Sequence, residues 1–439
     1  MRLNRILKIV VTLMISIILI SCGGKGQSGK GNIQGDIVDE TNDDIITLEL
    51  WSHYDIAKPI IEAFEKENTN IKINVKVFDY EQYELEYKKS LVEEVGSADL
   101  MIIDSNHYGS FNSIKGLENL LEPQYTATNY KEDFDKELWE LGKSMDKKEL
   151  LGLPIASAPI VTYYREDIMK KYGFPSEPEE LAEFMKDKDN WIKIGETLAK
   201  DGIYTVQWAG EIIRISNSNM PYFNEKLEYQ RDNDEFKESI SIAREARLKG
   251  LSPFADIWSD QGMQLLKDDK FAMLYLGSWG GRELELMVPE QAGKWRMTSL
   301  PFGKYGWNNA SILSIPENSK NKDAAWKFME FYTFKYDDKE RVGSVSAYLP
   351  FRGNEHVYNM KNEYLGGQQE QKFYEDIMAL TEEYPVTALD DEAFKLWDRV
   401  VNVGIDEDHT NEQIMENIRN EIGTVFKKEK EILLNEINK

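Results

Sequence analysis

Apolar and polar residues alternate with two different periods between residues 45 and 104. The pattern predicts a strand over residues 45–51, an amphipathic helix over 56–67 and a second strand over 71–77 with one buried face. A helical stretch over 80–94 leads to the apolar run 99–104, which is typical of a strand covered on both faces in a parallel sheet. Strands that alternate with helices predict an α/β fold with right-handed crossovers and a doubly wound sheet.

Polar residues follow the first and third of these strands. Ligands of doubly wound sheets bind at the carboxyl ends of the strands. The candidates there are His53, Tyr54, Asp55, Asp104 and Asn106. Two of them have a structural alternative, since Asp104 also fits a cap of the next element and Asp55 fits the N-cap of the first helix. A helix start near Asp55 would keep Pro59 in the first turn, where proline is tolerated.

The N-terminus has the pattern of a secretion signal. Three basic residues precede an apolar run over residues 9–20, which is too short for an ordinary membrane span. The sequence Leu-Ile-Ser-Cys-Gly-Gly around Cys22, the only cysteine, resembles the bacterial lipobox. It implies a signal peptide over residues 1–21 and a lipid on Cys22; the alternative is a signal anchor with an incidental cysteine. The glycine-rich, polar segment 22–44 predicts a flexible tether.

Composition narrows the class of partner. The 439 residues include 53 Lys and Arg against 78 Asp and Glu, and the formal net charge is −25. An acidic surface repels nucleic acid and anionic lipid head groups, so we expect neither as a partner apart from the membrane contact through the lipid on Cys22. The four histidines show no metal-ligand spacing, and the chain has no phosphate-binding glycine loop or nucleophile elbow. The sequence therefore favours no cofactor, no metal and no catalytic activity.

Short segments throughout the chain carry a resemblance to a known family. Residues 48–64 hold the opening strand and proline-containing helix, and residues 97–104 resemble a small-residue, Pro-Asp, hydrophobic, Asp stretch, although Ala98 stands where proline is usual. The other segments are 150–154, 161–165, 171–175, 269–273, 277–279, 299–302, 314–326 and 348–350. In this order they resemble the family 1 extracellular solute-binding proteins, the maltose-binding-protein-like receptors of ABC importers.

This resemblance implies a two-lobe periplasmic-binding-protein-like α/β fold of type II. Each lobe is a mixed sheet flanked by helices, and a hinge of several crossings joins the lobes, which close over the solute. We predict the crossings near residues 153–160, 299–302 and 337–345. The predicted lobes comprise residues 45–155 with 302–336, and residues 156–301 with 337–439.

The resemblance also implies a function. The chain is expected to be a monomeric, extracytoplasmic receptor, lipid-anchored to a bacterial membrane, that captures a carbohydrate and delivers it to the permease subunits of an ABC importer. Two alternatives stay open. Receptors for other solutes, such as a polyamine, a glycerol phosphate or a metal chelate, share this fold, and a lipid-anchored enzyme acting on glycans would share the secretion signal.

Aromatic residues are the first candidates for sugar contacts, because carbohydrates present flat C–H faces as well as hydroxyls. The resemblance implies Trp279 as the stacking residue, with Trp208, Trp307 and Trp397 as further candidates. Core packing is the alternative for Trp279, Trp208 and Trp397, and a solvent-exposed loop is the alternative for Trp307.

Three further residues complete the candidate set. Consecutive side chains of a strand point to opposite faces, so at most one of Tyr163 and Tyr164 faces the cleft, and Tyr163 is the candidate. Tyr348 and Arg352 come late in the chain. Arg352 has the geometry to donate to a hydroxyl pair or an acidic substituent, unless it is a solvated surface residue.

Overall fold

A computed structural model describes residues 45–92, 97–337, 343–381, 384 and 386–437. The predicted signal peptide, tether and lipidated Cys22 lie outside these residues. The strands are β1 Ile46–Ser52, β2 Ile71–Val77, β3 Leu100–Asp104, β4 Leu153–Arg165, β5 Met273–Gly277, β6 Trp295–Thr298, β7 Gly306–Ser314 and β8 Val345–Ser346. The helices are α1 Lys58–Glu67, α2 Tyr83–Val92, α3 Ser105–Asn112, α4 Lys136–Leu141, α5 Glu166–Tyr172, α6 Pro178–Met185, α7 Lys188–Ala199, α8 Glu211–Ser216, α9 Asp234–Leu248, α10 Asp260–Lys267, α11 Gly280–Met287, α12 Lys322–Glu330, α13 Glu355–Tyr358, α14 Glu370–Met378, α15 Asp390–Asp406, α16 Asn411–Val425 and α17 Lys427–Ile437.

The first three strands confirm the sequence prediction. β1 lies between β2 and β3 and is parallel to both, with α1 and α2 as the crossover helices. All five residues of β3 are buried, as the apolar run predicted. The buried face of β2 was predicted too long: Ile71 is buried, but Val77 is 47% exposed, because β2 is the outermost strand with a neighbour on one side only.

Two predicted helix starts were wrong. α1 begins at Lys58 with Ala57 as the N-cap residue, so Asp55 does not cap it. Pro59 explains this start, because it now occupies the second helical position, where its missing N–H has no partner to lose. α2 begins at Tyr83 rather than at residue 80, because the Asp79 carboxylate accepts a hydrogen bond from the Glu81 N–H (3.0 Å) and holds a turn before the helix.

Beyond β3 the sheet becomes mixed. β7 pairs antiparallel with β3, and Asp104 lies opposite Ser311 in that pair. β4 then pairs antiparallel with β7, and the strand order is β2-β1-β3-β7-β4-β5, with β6 and β8 also paired to β4. The sheet thus brings β7 beside the carboxyl end of β3, although about 200 residues of sequence separate them.

β4 changes partners along its length. Its first half pairs with β7 as far as Ile160, with register shifts at two points, and its second half pairs with β5 and β6. This change falls in the first predicted hinge crossing, 153–160. The second, 299–302, lies between β6 and β7, and residues 338–342 of the third lie outside the described residues. The hinge and the lobe boundaries stay predictions.

The buried apolar residues of the described part of the chain form three clusters, and the first two contain strand residues. The largest surrounds β1, β3 and β7, where residues such as Leu48, Ile102 and Ile312 are fully buried. A second lies between the end of β4 and helices α5 to α7, and a third joins α8, α9, α15 and α16. Each fully buried aliphatic side chain contributes about 1.5–3 kcal/mol to the free energy of folding. This burial stabilises the strands whose ends carry the polar residues.

Candidate functional site

The carboxyl ends of β1 and β3 carry a cluster of polar and aromatic side chains. Because β1 and β3 are parallel neighbours, the residues that follow them meet at one edge of the sheet, and antiparallel β7 adds residues there. We call this group the carboxyl-edge cluster. It comprises His53, Tyr54, Tyr80, Tyr83, Asp104, Asn106, His107, Asn309 and Ser311.

Asp104 is the buried carboxylate of this cluster, with 2% of its surface exposed. Its Oδ1 accepts a hydrogen bond from the Asn106 N–H (2.8 Å), which caps α3, and its Oδ2 accepts from Nδ2 of Asn309 (2.6 Å). The Tyr80 hydroxyl lies near the same carboxylate. A carboxylate has about four acceptor positions, so the two neutral donors leave acceptor capacity for a solute hydroxyl.

Aromatic rings surround the imidazole of His53. Its ring stacks on Tyr83 (centroids 4.9 Å apart, 27° between planes) and contacts Tyr54 and Tyr80 edge to face at 4.9 and 5.3 Å. The Tyr83 hydroxyl accepts from the Asp104 N–H (3.2 Å) and hydrogen-bonds Nδ1 of His107 (2.8 Å). His53 Nε2 is buried and has no hydrogen-bond partner among the described residues.

The pKa of His53 predicts a pH-dependent stability. Burial lowers this pKa below its usual 6.5, against a smaller opposite effect of Asp104, while His107 lowers it further; uncharged Tyr54, Tyr80 and Tyr83 are the other groups that face it. Unfolding therefore takes up a proton below about pH 6.5, so the stabilising effect of a neutral His53 is complete above that pH and is lost as the pH falls.

We expect the free energy of unfolding of the parent protein to fall relative to that of His53→Gln as the pH drops from 7.5 to 5.5, by at most about 1.4 kcal/mol per pH unit. Chemical unfolding at several pH values measures this difference. His356→Gln, which removes an exposed histidine outside the carboxyl-edge cluster, is the control. A constant offset for His53→Gln would contradict the assignment of a buried, neutral imidazole.

Four of the five predicted residues after β1 and β3 lie in the carboxyl-edge cluster. His53, Tyr54 and Asp104 contact other members of the cluster directly, and the exposed Asn106 lies at the start of α3. Tyr54 reaches across the edge and donates from its hydroxyl to Ser311 Oγ (3.1 Å). Asp55 is exposed in the connection to α1. Contact of these residues with a solute stays a prediction.

The two half-buried tryptophan candidates lie elsewhere. Trp279 precedes α11, with its ring 6.2 Å from that of Trp258, which is 54% exposed. Gly277 makes room for it, because a Cβ there would lie 2.3 Å from Nε1 of Trp279. Trp208 lies beside Gly210, just before α8. Their contact with a solute also stays a prediction.

Three candidates lie in the core. Tyr163 is fully buried, and its hydroxyl donates to the Ser278 carbonyl (3.0 Å) and hydrogen-bonds the Tyr374 hydroxyl (2.8 Å). Trp307 is 3% exposed and donates from Nε1 to Ser157 Oγ (2.9 Å). Trp397 is 1% exposed and hydrogen-bonds Tyr222 in the third apolar cluster. Packing accounts for all three in this conformation, and a role toward the solute stays a prediction.

Tyr348 and Arg352 form a separate group. The Tyr348 ring packs edge to face on Phe334 (5.2 Å) and Phe351 (5.0 Å). Arg352 donates from Nη2 to Oδ2 of Asp135 (2.9 Å) and from Nε to the Ser346 carbonyl (2.6 Å). Its guanidinium thus already has an ion-pair partner, and a role in binding stays a prediction.

Sequence reasoning missed part of the cluster. Tyr80 was assigned to a helix, and the loop position that it occupies follows from the Asx turn at Asp79. Asn309 and Ser311 join the site only through the antiparallel pairing of β7 with β3, which no local pattern reveals. Outside this cluster, Trp258 beside Trp279 was also missed, although it directly precedes Ser259, the N-cap residue of α10.

The described residues contain neither a candidate membrane span nor a candidate metal cluster. Within residues 45–92, 97–337, 343–381, 384 and 386–437, no helix combines the length and apolarity that a bilayer crossing requires. In the same part of the chain, no three His, Cys, Asp or Glu side chains are grouped closely enough to hold a metal ion.

Comparison with known proteins reveals both a family and a fold. The model of the family described as bacterial extracellular solute-binding protein matches residues 51–335. The lactose-binding protein of Rhizobium radiobacter is 28% identical over 239 residues, which are 50% of this chain and 55% of that protein, so the chain matches only about half of that relative's length.

Solved structures show the same fold at low identity. The ABC-transporter-associated binding protein of B. animalis subsp. lactis, in complex with β-1,6-galactobiose, has a TM-score of 0.72 and 18% identity, over 88% of this chain and 99% of that one. The galacto-N-biose/lacto-N-biose I-binding protein of Bifidobacterium longum has a TM-score of 0.71 and 15% identity, over 88% and 98%. These likenesses confirm the α/β fold of the type II periplasmic binding proteins.

Proposed function

This chain belongs to the bacterial extracellular solute-binding proteins, and on that premise we propose that it captures a carbohydrate and delivers it to the permease of an ABC importer. The observation that carries the proposal is the environment of Asp104. This buried carboxylate has neutral donors and spare acceptor capacity, and it lies near the partly exposed Tyr80. Sugars offer the matching groups, namely hydroxyl donors and an apolar face.

The rest of the proposal concerns the two lobes and the lipid anchor. The lobes, 45–155 with 302–336 and 156–301 with 337–439, close over the solute and present a joint surface to the permease. The signal peptide directs export of the receptor, and the lipid on Cys22 then holds it at the outer side of the membrane. Related proteins that are described as binding lactose, lacto-N-biose and β-1,6-galactobiose favour galactosides as the first sugars to test.

A polyamine is the second candidate solute. The carboxylate of Asp104 has only neutral donors as described partners, and an ammonium group would add the positive charge that is missing there. An aromatic ring such as Tyr80 also attracts a cation. An anionic solute, such as a glycerol phosphate, would be repelled by the same carboxylate.

We expect the purified protein to be stabilised by one series of sugars in a thermal-shift screen. The panel contains galactosides, maltodextrins and their monosaccharides, with spermidine, glycerol 3-phosphate and a ferric chelate as the other classes. A solute at a hundred times its Kd stabilises the folded state by about 2.7 kcal/mol, which gives a clear shift. Equilibrium titration then measures the Kd, and Trp279→Ala tests the stacking role of that residue.

The outcomes separate the hypotheses. Saturable binding of a sugar without loss of that sugar on prolonged incubation supports the receptor, whereas turnover would support the glycan-active enzyme. A response to spermidine alone would contradict the carbohydrate proposal and leave the family unchanged. A response to the ferric chelate or the phosphate alone would contradict both proposed solute classes.

A further inference from the structure

We propose that Tyr80 forms the stacking platform of a pyranose subsite, and that Nε2 of His53 hydrogen-bonds a hydroxyl of the same sugar ring. The inference rests on the carbohydrate function proposed above. Tyr80 lies in the loop between β2 and α2, and none of the tryptophan candidates lies in that loop.

The ring of Tyr80 is open to solvent while its hydroxyl is not. The side chain is 42% exposed, although burial raises the pKa of its hydroxyl far above the usual range, with the nearby Asp104 carboxylate adding to this effect. The two observations agree if the hydroxyl end points inward to Asp104 and Asn106 and solvent reaches the ring. Folding does not require the apolar ring of Tyr80 to be exposed, so its exposure is consistent with contact to a solute.

The ring is also held in place from several sides. The ring centroid of Tyr80 lies 5.3 Å from that of His53, 5.6 Å from that of Tyr83 and 5.3 Å from that of His107. Tyr83 is itself fully buried. A ring that is fixed by its neighbours and by its own hydroxyl loses little conformational freedom when a sugar stacks on it, which favours binding.

His53 supplies the polar partner beside the platform. Its Nε2 is buried and unpaired within the described residues, whereas buried polar groups nearly always have a hydrogen-bond partner. The imidazole and the Tyr80 ring are in edge-to-face contact, with 70° between their planes. The two rings are therefore adjacent, but their planes face different directions. A hydroxyl of a sugar stacked on Tyr80 would satisfy this atom and remove the cost of leaving it unpaired.

The experiment titrates the sugar that gives the strongest thermal shift into the full-length protein and four variants. Tyr80→Ala removes the platform and is expected to weaken binding about tenfold or more, whereas Tyr80→Phe keeps the ring and should stay within about threefold of the parent. His53→Ala should weaken binding about tenfold, and His53→Gln should restore part of the loss, because its amide lies near the position of Nε2.

Tyr172→Ala is the matched control. Tyr172 is also partly exposed, and its hydroxyl donates to the carboxylate of Asp201, but it lies at the end of α5. Its removal should leave the Kd unchanged. If Tyr80→Ala does not fold, the comparison of His53→Ala with His53→Gln decides the inference.

Two negative results are distinguishable. Normal sugar binding by both Tyr80→Ala and His53→Ala would overturn this subsite and leave the carbohydrate function standing. Binding of no sugar by the parent protein would overturn the carbohydrate function, and the subsite with it.

Discussion

Replacement of Gly262 by alanine is expected to destabilise the folded protein by about 2–3 kcal/mol. Gly262 lies in the first turn of α10, where its N–H donates to Oγ of the N-cap residue Ser259 (3.1 Å). A Cβ at this position would lie 1.9 Å from the carbonyl oxygen of Asp256 and 2.4 Å from its carbonyl carbon. Both atoms belong to the backbone, so no side-chain rotation relieves the contact.

Gly423→Ala provides the matched control in a second helix. Gly423 lies inside α16, and a Cβ there would have no heavy atom within 4 Å. Alanine is the better helix former, so this variant should gain about 0.5–1 kcal/mol. The midpoints of chemical unfolding measure both effects, and a shift of the same sign in the two variants would contradict the packing argument.

Gly262→Ala is also expected to change the surface near Trp258. The clash would push the segment at Asp256 and Ile257 outward, and Trp258 follows directly in the chain. Because Trp258 lies 6.2 Å from Trp279, the displacement would reach the candidate stacking residue as well. A change in sugar affinity that accompanies the loss of stability would therefore connect α10 to the binding surface.

The sequence pattern identified local structure well and long-range structure hardly at all. β2 has the predicted bounds, β1 is shifted by one residue at both ends, and β3 begins one residue later than predicted, because alternation and apolar runs depend only on nearest neighbours in the chain. The positions of His53 and Asp104 at strand ends were predicted for the same reason, since the end of a buried parallel strand can be recognised locally.

The rest of the cluster depends on contacts between distant parts of the chain. Asn309 reaches Asp104 only because β7 pairs with β3 in a register that no local pattern determines. Arg352 was selected because its guanidinium can donate to a solute hydroxyl. Its observed partner is instead Asp135, 217 residues away, which the local sequence does not reveal. Tyr80 was concealed by an error of three residues in a helix start, the usual size of a boundary error.

The Asp104 carboxylate is expected to be the largest single contributor to solute affinity. Asp104→Asn keeps the size of the side chain and an acceptor for the Asn106 N–H, but it places an amide nitrogen opposite the Nδ2 of Asn309, where Oδ2 now accepts. The sugar loses a hydrogen bond to a charged acceptor, which contributes about 1.5–3 kcal/mol, so we expect the Kd to rise by about 10- to 150-fold.

The charge of Asp104 should also control selectivity between neutral and acidic sugars. We expect galactose or glucose, whichever the parent protein binds, to bind more tightly than the corresponding uronate, because the buried carboxylate repels a second one at short range. In Asp104→Asn this preference should shrink, since the repulsion is removed while the shape of the site is kept. Calorimetric titration of each neutral sugar and uronate pair measures both the loss of affinity and the change in preference.

Asp99 offers a control at the other end of the same strand. It precedes β3, is 7% exposed, and accepts from the Glu49 N–H (3.0 Å) and the Ser319 hydroxyl (2.6 Å), which are again neutral donors. Asp99→Asn should therefore cost comparable stability, yet leave the Kd and the preference for neutral sugars unchanged. Equal losses of affinity in the two variants would mean that Asp104 acts through the stability of β3 and not through contact with the sugar.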